Sequence, residues 1–193
     1  MTSYRFAART LSAAAVTSAL LFTAGCGSDS GEPGGHSQHG GAPVSDAFNA
    51  ADLAFVQGMI PHHEQAIEMS ELAAGRAGSD AVRDLAAVIE QAQGPEIDTL
   101  RSWLSDWDAE PADHGGHDMT GMMSDEEMAE LEGSSGAEFD AAFLRLMIVH
   151  HEGAVEMARE LERQGSFAPA LEMAQDIISS QSAEIDQMTE LLN

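Results

Sequence analysis

Lysine is absent. All eight basic residues are arginine, set against 33 acidic ones, for a net charge of −25. A surface of that sign repels phosphates, so nucleic acid is a poor partner. A single cysteine, Cys26, leaves no second thiol for an internal disulfide. Aromatic residues make up only 5% of the chain, and Ala, Glu, Leu, Met and Gln dominate, which disfavours sheet and favours helix. No apolar run is long enough to span a bilayer comfortably. The longest, Leu11 to Ala24, follows Arg5 and Arg9 and has the length of a secretory leader.

That leader, residues 1–25, ends in Leu21-Phe22-Thr23-Ala24-Gly25-Cys26. The ending resembles a bacterial lipobox with Cys26 as the acylated residue, although Thr23 departs from the more usual leucine. The expected location is extracytoplasmic, on the outer face of the cell membrane through a lipid on Cys26, or secreted if Cys26 is not acylated. Residues 26–45 are rich in Gly, Ser and Pro and carry His36 and His39, which reads as a flexible tether.

What is abundant beyond this point is repetition. Phe55, Met59, Ile60, His62, His63, Glu64, Ala66, Glu68 and Met69 return at a constant offset as Phe143, Met147, Ile148, His150, His151, Glu152, Ala154, Glu156 and Met157. The offset persists through Ala86/Ala174, Ile89/Ile177, Gln93/Gln181, Glu96/Glu184, Ile97/Ile185 and Asp98/Asp186. Two copies of a helical hairpin would produce this pattern. The first is expected over residues 46–107 and the second over 135–193, making an all-α four-helix bundle. Residues 108–134 form a His/Met-rich connector, longer than the usual link between adjacent antiparallel helices. Such a connector can run the length of a bundle, as in ferritin-like topologies.

Local signals place the helix ends. Asn49 with Asp52 starts the first helix, Ser79 the second, Ser124 a short connector helix, the capping-box pair Ser135 and Glu138 the third long helix, and Pro169 opens the last. Gly94-Pro95 is expected to bend the second helix.

Helical spacing then assigns faces. Phe55, Met59, His62, Ala66, Met69 and Ala73 form one stripe, beside Val56, Ile60, His63 and Ile67, and the second copy repeats both. Both histidines of each pair therefore point coreward, about 100° apart around the helix. Leu85, Ile89, Gln93, Glu96, Leu100 and Trp103 form the matching wall, as do Met173, Ile177, Gln181, Glu184, Met188 and Leu191. A partly buried carboxylate needs a hydrogen-bond donor or a cation. Gln93, Glu96, Gln181 and Glu184 are accordingly expected to support histidine ligands.

One core histidine is ordinarily structural, and a methionine stripe is ordinarily packing. Four histidines in duplicated adjacent pairs point instead to metal: His62, His63, His150 and His151, with Met59, Met69, Met147 and Met157 as sulfur candidates. Thioether sulfur is soft and favours Cu(I), while imidazole also accommodates Cu(II), so copper is the expected ion. His36, His39, His114, His117, Met119, Met122 and Met123 extend this chemistry to segments expected to be flexible, as secondary capture residues. A di-iron or copper oxidase is the rival reading. Ferritin-like di-iron sites use Glu-x-x-His on two helices, and no histidine here has a glutamate three positions before it. A metal-free module that binds another envelope protein is the third reading.

The double motif Phe55-x-x-x-Met59-Ile60-Pro61-His62-His63-x-x-Ala66-Ile67-x-Met69 and its copy through Met157, with Gln-x-x-Glu-Ile in both hairpins, resembles the domain of unknown function 305 family. The resemblance runs from about Asp46 to Leu192, with Val149 standing where the first copy has Pro61. It implies a ferritin-like four-helix bundle, secreted or lipid-anchored. Its better-understood members bind copper through His and Met and contribute to copper tolerance. The resulting expectation is a copper buffer or carrier, not an enzyme.

Overall fold

A computed structural model describes residues 47–111 and 119–193. The leader, Cys26, His36, His39, His114 and His117 lie outside the described residues. The described chain forms five helices: α1 (Ala50–Arg76), α2 (Asp80–Asp106), α3 (Asp125–Gly133), α4 (Ala137–Gln164) and α5 (Ala168–Leu191). Among the described residues, no helix is long and apolar enough to cross a membrane.

The helix ends follow mostly from their caps. The Asn49 side chain accepts from the Ala51 and Asp52 amides while Asp52 accepts from the Asn49 amide, and Ser124 and Glu127 do the same reciprocally for α3. Ser79 caps α2. Helix α2 runs on through Gly94-Pro95, and Pro169 sits in the first turn of α5. The expected capping box at Ser135 and Glu138 does not form. Gly136 takes the N-cap position of α4 at φ 64°, with no side-chain cap. Its amide donates to the Arg76 carbonyl at 2.7 Å, which ties the chain to the end of α1 and requires a left-handed conformation that glycine adopts without steric cost.

Helices α1 and α2 pack as one hairpin, α4 and α5 as the other, and the two meet chiefly through α1 and α4. The core divides into two apolar clusters. One holds Ala66, Met69, Ala73, Val82, Leu85, Ile89, Phe139, Phe143, Met147 and Met188. The other holds Phe55, Val56, Met59, Ile60, Ile97, Leu100, Leu104, Ala154, Leu161, Ala170 and Ile177. Along α1 and α5 the chain passes from the second cluster to the first, and along α2 and α4 from the first to the second. The end of α2 and the start of α4 therefore lie at opposite ends of the bundle, and the connector must travel its length.

Each end is pinned by polar contacts between the hairpins. At one, the Gly78 amide donates to Asp140 at 2.8 Å. At the other, Asp52 is fully buried and accepts from the Ser166 amide and hydroxyl at 3.1 Å and from the Phe167 amide at 3.2 Å, while Asn49 donates to the Gln164 carbonyl. The capping signal in the sequence accounts for only part of the role of Asp52. Here it is also the clasp between the start of α1 and the α4–α5 turn.

Candidate metal centre

On every long helix the polar residues of the repeat fall between the segments that build the two clusters: His62 and His63 on α1, Gln93 and Glu96 on α2, His150 and His151 on α4, Gln181 and Glu184 on α5. They form a polar belt across the middle of an apolar core. The α1 and α4 stripes are buried or partly buried, with all four histidines fully buried, whereas Leu191, expected in the α5 stripe, is exposed at the end of its helix.

Within the belt the histidines play two parts. His63 Nε2 donates to Glu96 Oε2 at 2.7 Å inside the first hairpin, and His151 Nε2 donates to Glu184 Oε2 at 2.6 Å inside the second. These are the supports expected for the two glutamates. His62 and His150 instead meet each other across the α1–α4 interface, with ring centroids 3.8 Å apart and planes inclined at 45°. His62 Nε2 donates to the Thr120 carbonyl at 3.2 Å, since a carbonyl can only accept, and neither nitrogen of His150 makes a hydrogen bond of good geometry, the His62 backbone being near enough only to oppose the lowering of its pKa.

Burial dominates the electrostatics of this inner pair. It pulls the His62 pKa down to about 3, with the neighbouring imidazoles adding to the effect and the Thr120 carbonyl opposing it. His150 is likewise held well below the ordinary histidine range, by burial first and then by His62, His151 and His63. Both rings are neutral at physiological pH, with lone pairs available.

Most buried polar atoms without a hydrogen bond cluster in the belt. They are Nδ1 of all four histidines, Nε2 of His150, both amide atoms of Gln93 and Oε1 of Gln181. Leaving such groups unsatisfied costs about 1–3 kcal/mol each, and folded proteins rarely do so. The supporting role expected of Gln93 and Gln181 is therefore not seen: their amides bond to no histidine. Among the described residues, no three His, Cys, Asp or Glu side chains converge as a ready metal site. The donor set is bare imidazole nitrogen, with Met59 and Met147 one helical turn from His62 and His150, which fits a soft ion of low coordination number.

The methionines divide by position. Met59 and Met147 precede His62 and His150 by one turn and lie in opposite clusters, so they flank the inner pair from either side. Met69 is buried within the cluster of Phe143 and Leu85. Met157 is only partly buried. Met123 is 3% exposed and packs in the core.

Residues 119–123 are not the loose segment expected of the connector. They form a strap held at three points. Gln65 clamps Met123, donating to its carbonyl at 2.9 Å and accepting from its amide at 2.7 Å. Thr120 caps His62. Gly121, at φ 83°, lies against Gly153 so closely that a Cβ on Gly121 would stand 2.7 Å from the Gly153 Cα, and one on Gly153 would strike the Thr120 carbonyl. Gln65 and Gly153 are equivalent positions of the repeat. So are Pro61 and Val149, which also border the connector: Pro61 lines a cavity with Met122, and the Val149 carbonyl approaches Gly121. The departures from the repeat at these positions, a signal available in the sequence, mark where the unduplicated strap crosses the bundle.

Comparison with known proteins agrees with this architecture. The family model for the domain of unknown function DUF305 matches residues 52–192. A DUF305 protein from Streptomyces coelicolor is 32% identical, with a TM-score of 0.70 over 74% of this chain and 91% of its own. A DUF305 fragment from Deinococcus radiodurans is 30% identical, with a TM-score of 0.68 over 78% and 97%. CopM in its Cu(I)-bound form is 34% identical, with a TM-score of 0.63 over 72% and 94%, and has also been solved with Cu(II), with silver and as the apo protein. No curated protein matches. The chain belongs to the DUF305 family.

Proposed function

We propose that this protein binds copper at the polar belt and acts as an extracytoplasmic buffer or carrier. The observation that carries the reading is the concentration of unsatisfied, buried imidazole nitrogens at one level of an otherwise apolar core. The copper- and silver-bound states of CopM support the choice of ion. His62 and His150 supply the primary nitrogens, from opposite hairpins. His63 and His151 add Nδ1, because Glu96 and Glu184 occupy Nε2 and fix each ring's orientation. Met59 and Met147 stand within one turn as sulfur donors. Two neutral imidazoles with adjacent thioethers suit Cu(I), and no ligand proton need be displaced from His62 or His150 on loading.

The same chemistry argues for binding without turnover. Glu96 and Glu184 are the carboxylates both repeats bring to the belt, and each is engaged by a histidine within its own hairpin. Neither bridges the hairpins as an oxidised iron pair requires. Anaerobic loading with Fe(II) followed by oxygen should give no rapid stoichiometric oxidation above the metal-only rate. The leader and Cys26 support an envelope location, and Cys26→Ala should move the protein from the membrane fraction to the medium.

The test of the reading is Cu(I) competition against a chromogenic chelator. Replacing His62, His63, His150 and His151 together with Gln should abolish tight binding and leave the helical circular dichroism near wild type. Unchanged affinity would move the site to His36, His39, His114 and His117.

A further inference from the structure

The two copies treat their last motif methionine differently. Met69 is fully buried in the core, whereas Met157, at the equivalent position, is partly exposed and lines a cavity of about 250 Å³ between α1 and α4 with Phe55 and Leu161. Across the interface Met157 meets Gly58. A Cβ there would stand 3.0 Å from the Met157 methyl and 3.7 Å from the Met119 sulfur. The missing side chain lets two thioethers, one from α4 and one from the strap, converge on the same point of α1. A glycine inside a helix costs roughly 1 kcal/mol relative to alanine, so this position is held against local preference. The first copy has no such pair, because its methionine is internal and the strap is not duplicated.

The pair is also placed on a route. Gly58 precedes His62 by four residues, about 6 Å along the helix axis. Met119 is followed by Thr120, whose carbonyl receives the His62 Nε2 proton. Beyond His62 lies His150, with both ring nitrogens unpartnered.

Building on the copper reading, we propose that Met119 and Met157 form an outer thioether site that captures Cu(I) through the partly exposed Met157 and passes it to His62 and His150. The transfer is a ligand exchange: sulfur–copper bonds break as nitrogen–copper bonds form, and copper stays monovalent throughout. Thioethers alone hold Cu(I) through weak neutral donors, which suits an ion that must move on.

The experiment uses protein labelled with 13C at the methionine methyls and Ag(I) as a redox-inert monovalent probe. In the His62→Gln/His150→Gln variant, Ag(I) should stop at the outer site, and the Met119 and Met157 methyl resonances should shift together. In Met119→Leu/Met157→Leu the affinity of the tightest ion should stay near wild type, while Cu(I) loading from a chelator should slow about tenfold. Gly58→Ala, which displaces only the flexible end of Met157, should slow loading in the same direction. Unmoved methyls in the histidine variant, or unchanged loading in the methionine variant, would overturn the outer site while the wild type still bound Cu(I) tightly. Failure of the wild type to bind either ion would overturn the copper reading itself.

Discussion

His63 and His151 each have a carboxylate; His62 and His150 have each other. The outer two are each oriented through Nε2 by a carboxylate of their own hairpin, which leaves only Nδ1 bare. The inner two acquire their environment when α1 packs on α4, and what they acquire is burial, a second imidazole and, for His62, a carbonyl of the strap. The same residue type, repeated on consecutive positions, thus separates into a ring oriented by a carboxylate and one buried without a charged partner. A packed core would ordinarily replace the desolvated pair with apolar side chains. Under the copper reading an ion completes it.

Breaking the inner pair should have the largest effect. His62→Gln/His150→Gln is expected to lower Cu(I) affinity beyond the roughly 10–100-fold seen when a supporting residue is lost. Chelator competition measures this, and a loss confined to that range would place the pair among the supports.

A buried carboxylate away from the belt provides the contrast. Asp52 accepts backbone and hydroxyl donors at the bundle's end, so Asp52→Ala should cost about 3 kcal/mol of stability by leaving them unpaired. Denaturant melts would show it, with the Cu(I) affinity of the folded protein unchanged.

Glu96→Ala/Glu184→Ala should strike the outer pair alone. Affinity is expected to fall about 10–100-fold, because His63 and His151 lose the acceptor that fixes their rings. Nitrogen-15 NMR of the imidazoles should show the Nε2–H tautomer lost at His63 and His151 and kept at His62.

The inner pair also sets a pH dependence in the apo protein. The folded pKa of His62 is lowered to about 3 against an unfolded value near 6.5. The unfolded chain therefore binds protons that the folded chain does not. Stability from this source is fully present above pH 6.5 and is lost as pH falls toward 3, at up to about 1.4 kcal/mol per pH unit. His150 is shifted in the same direction. Thermal melts of the apo protein should drop between neutrality and pH 5, with a shallower slope in His62→Gln/His150→Gln.

Much of this was legible from periodicity. Duplication exposed the hairpins, helical spacing placed all four histidines inward, and the cost of a buried carboxylate paired Glu96 and Glu184 with histidines. What escaped were properties of one copy or of the junction between copies. Gly136 displaced the Ser135 cap because a tertiary bond to Arg76 set the start of α4. Gly-rich composition around Met119–Met123 suggested flexibility, yet Gly121 is there to lie against Gly153, and Gln65 clamps a backbone that composition cannot reveal. Spacing likewise could not separate Met69, enclosed by its own cluster, from Met157, which Gly58 admits to the interface. Gly58/Leu146, Pro61/Val149 and Gln65/Gly153 break the repeat along one stripe. Reading those departures as the footprint of an unduplicated element would have located the strap.

Under the copper reading the inner histidines hold the metal between the hairpins. Crystals of the Cu(I)-loaded protein, measured on both sides of the copper absorption edge, test it directly. An anomalous peak is expected within bonding distance of both His62 and His150, at the level of the polar belt. Copper in the tether or connector alone, with both inner rings uncoordinated, would contradict it.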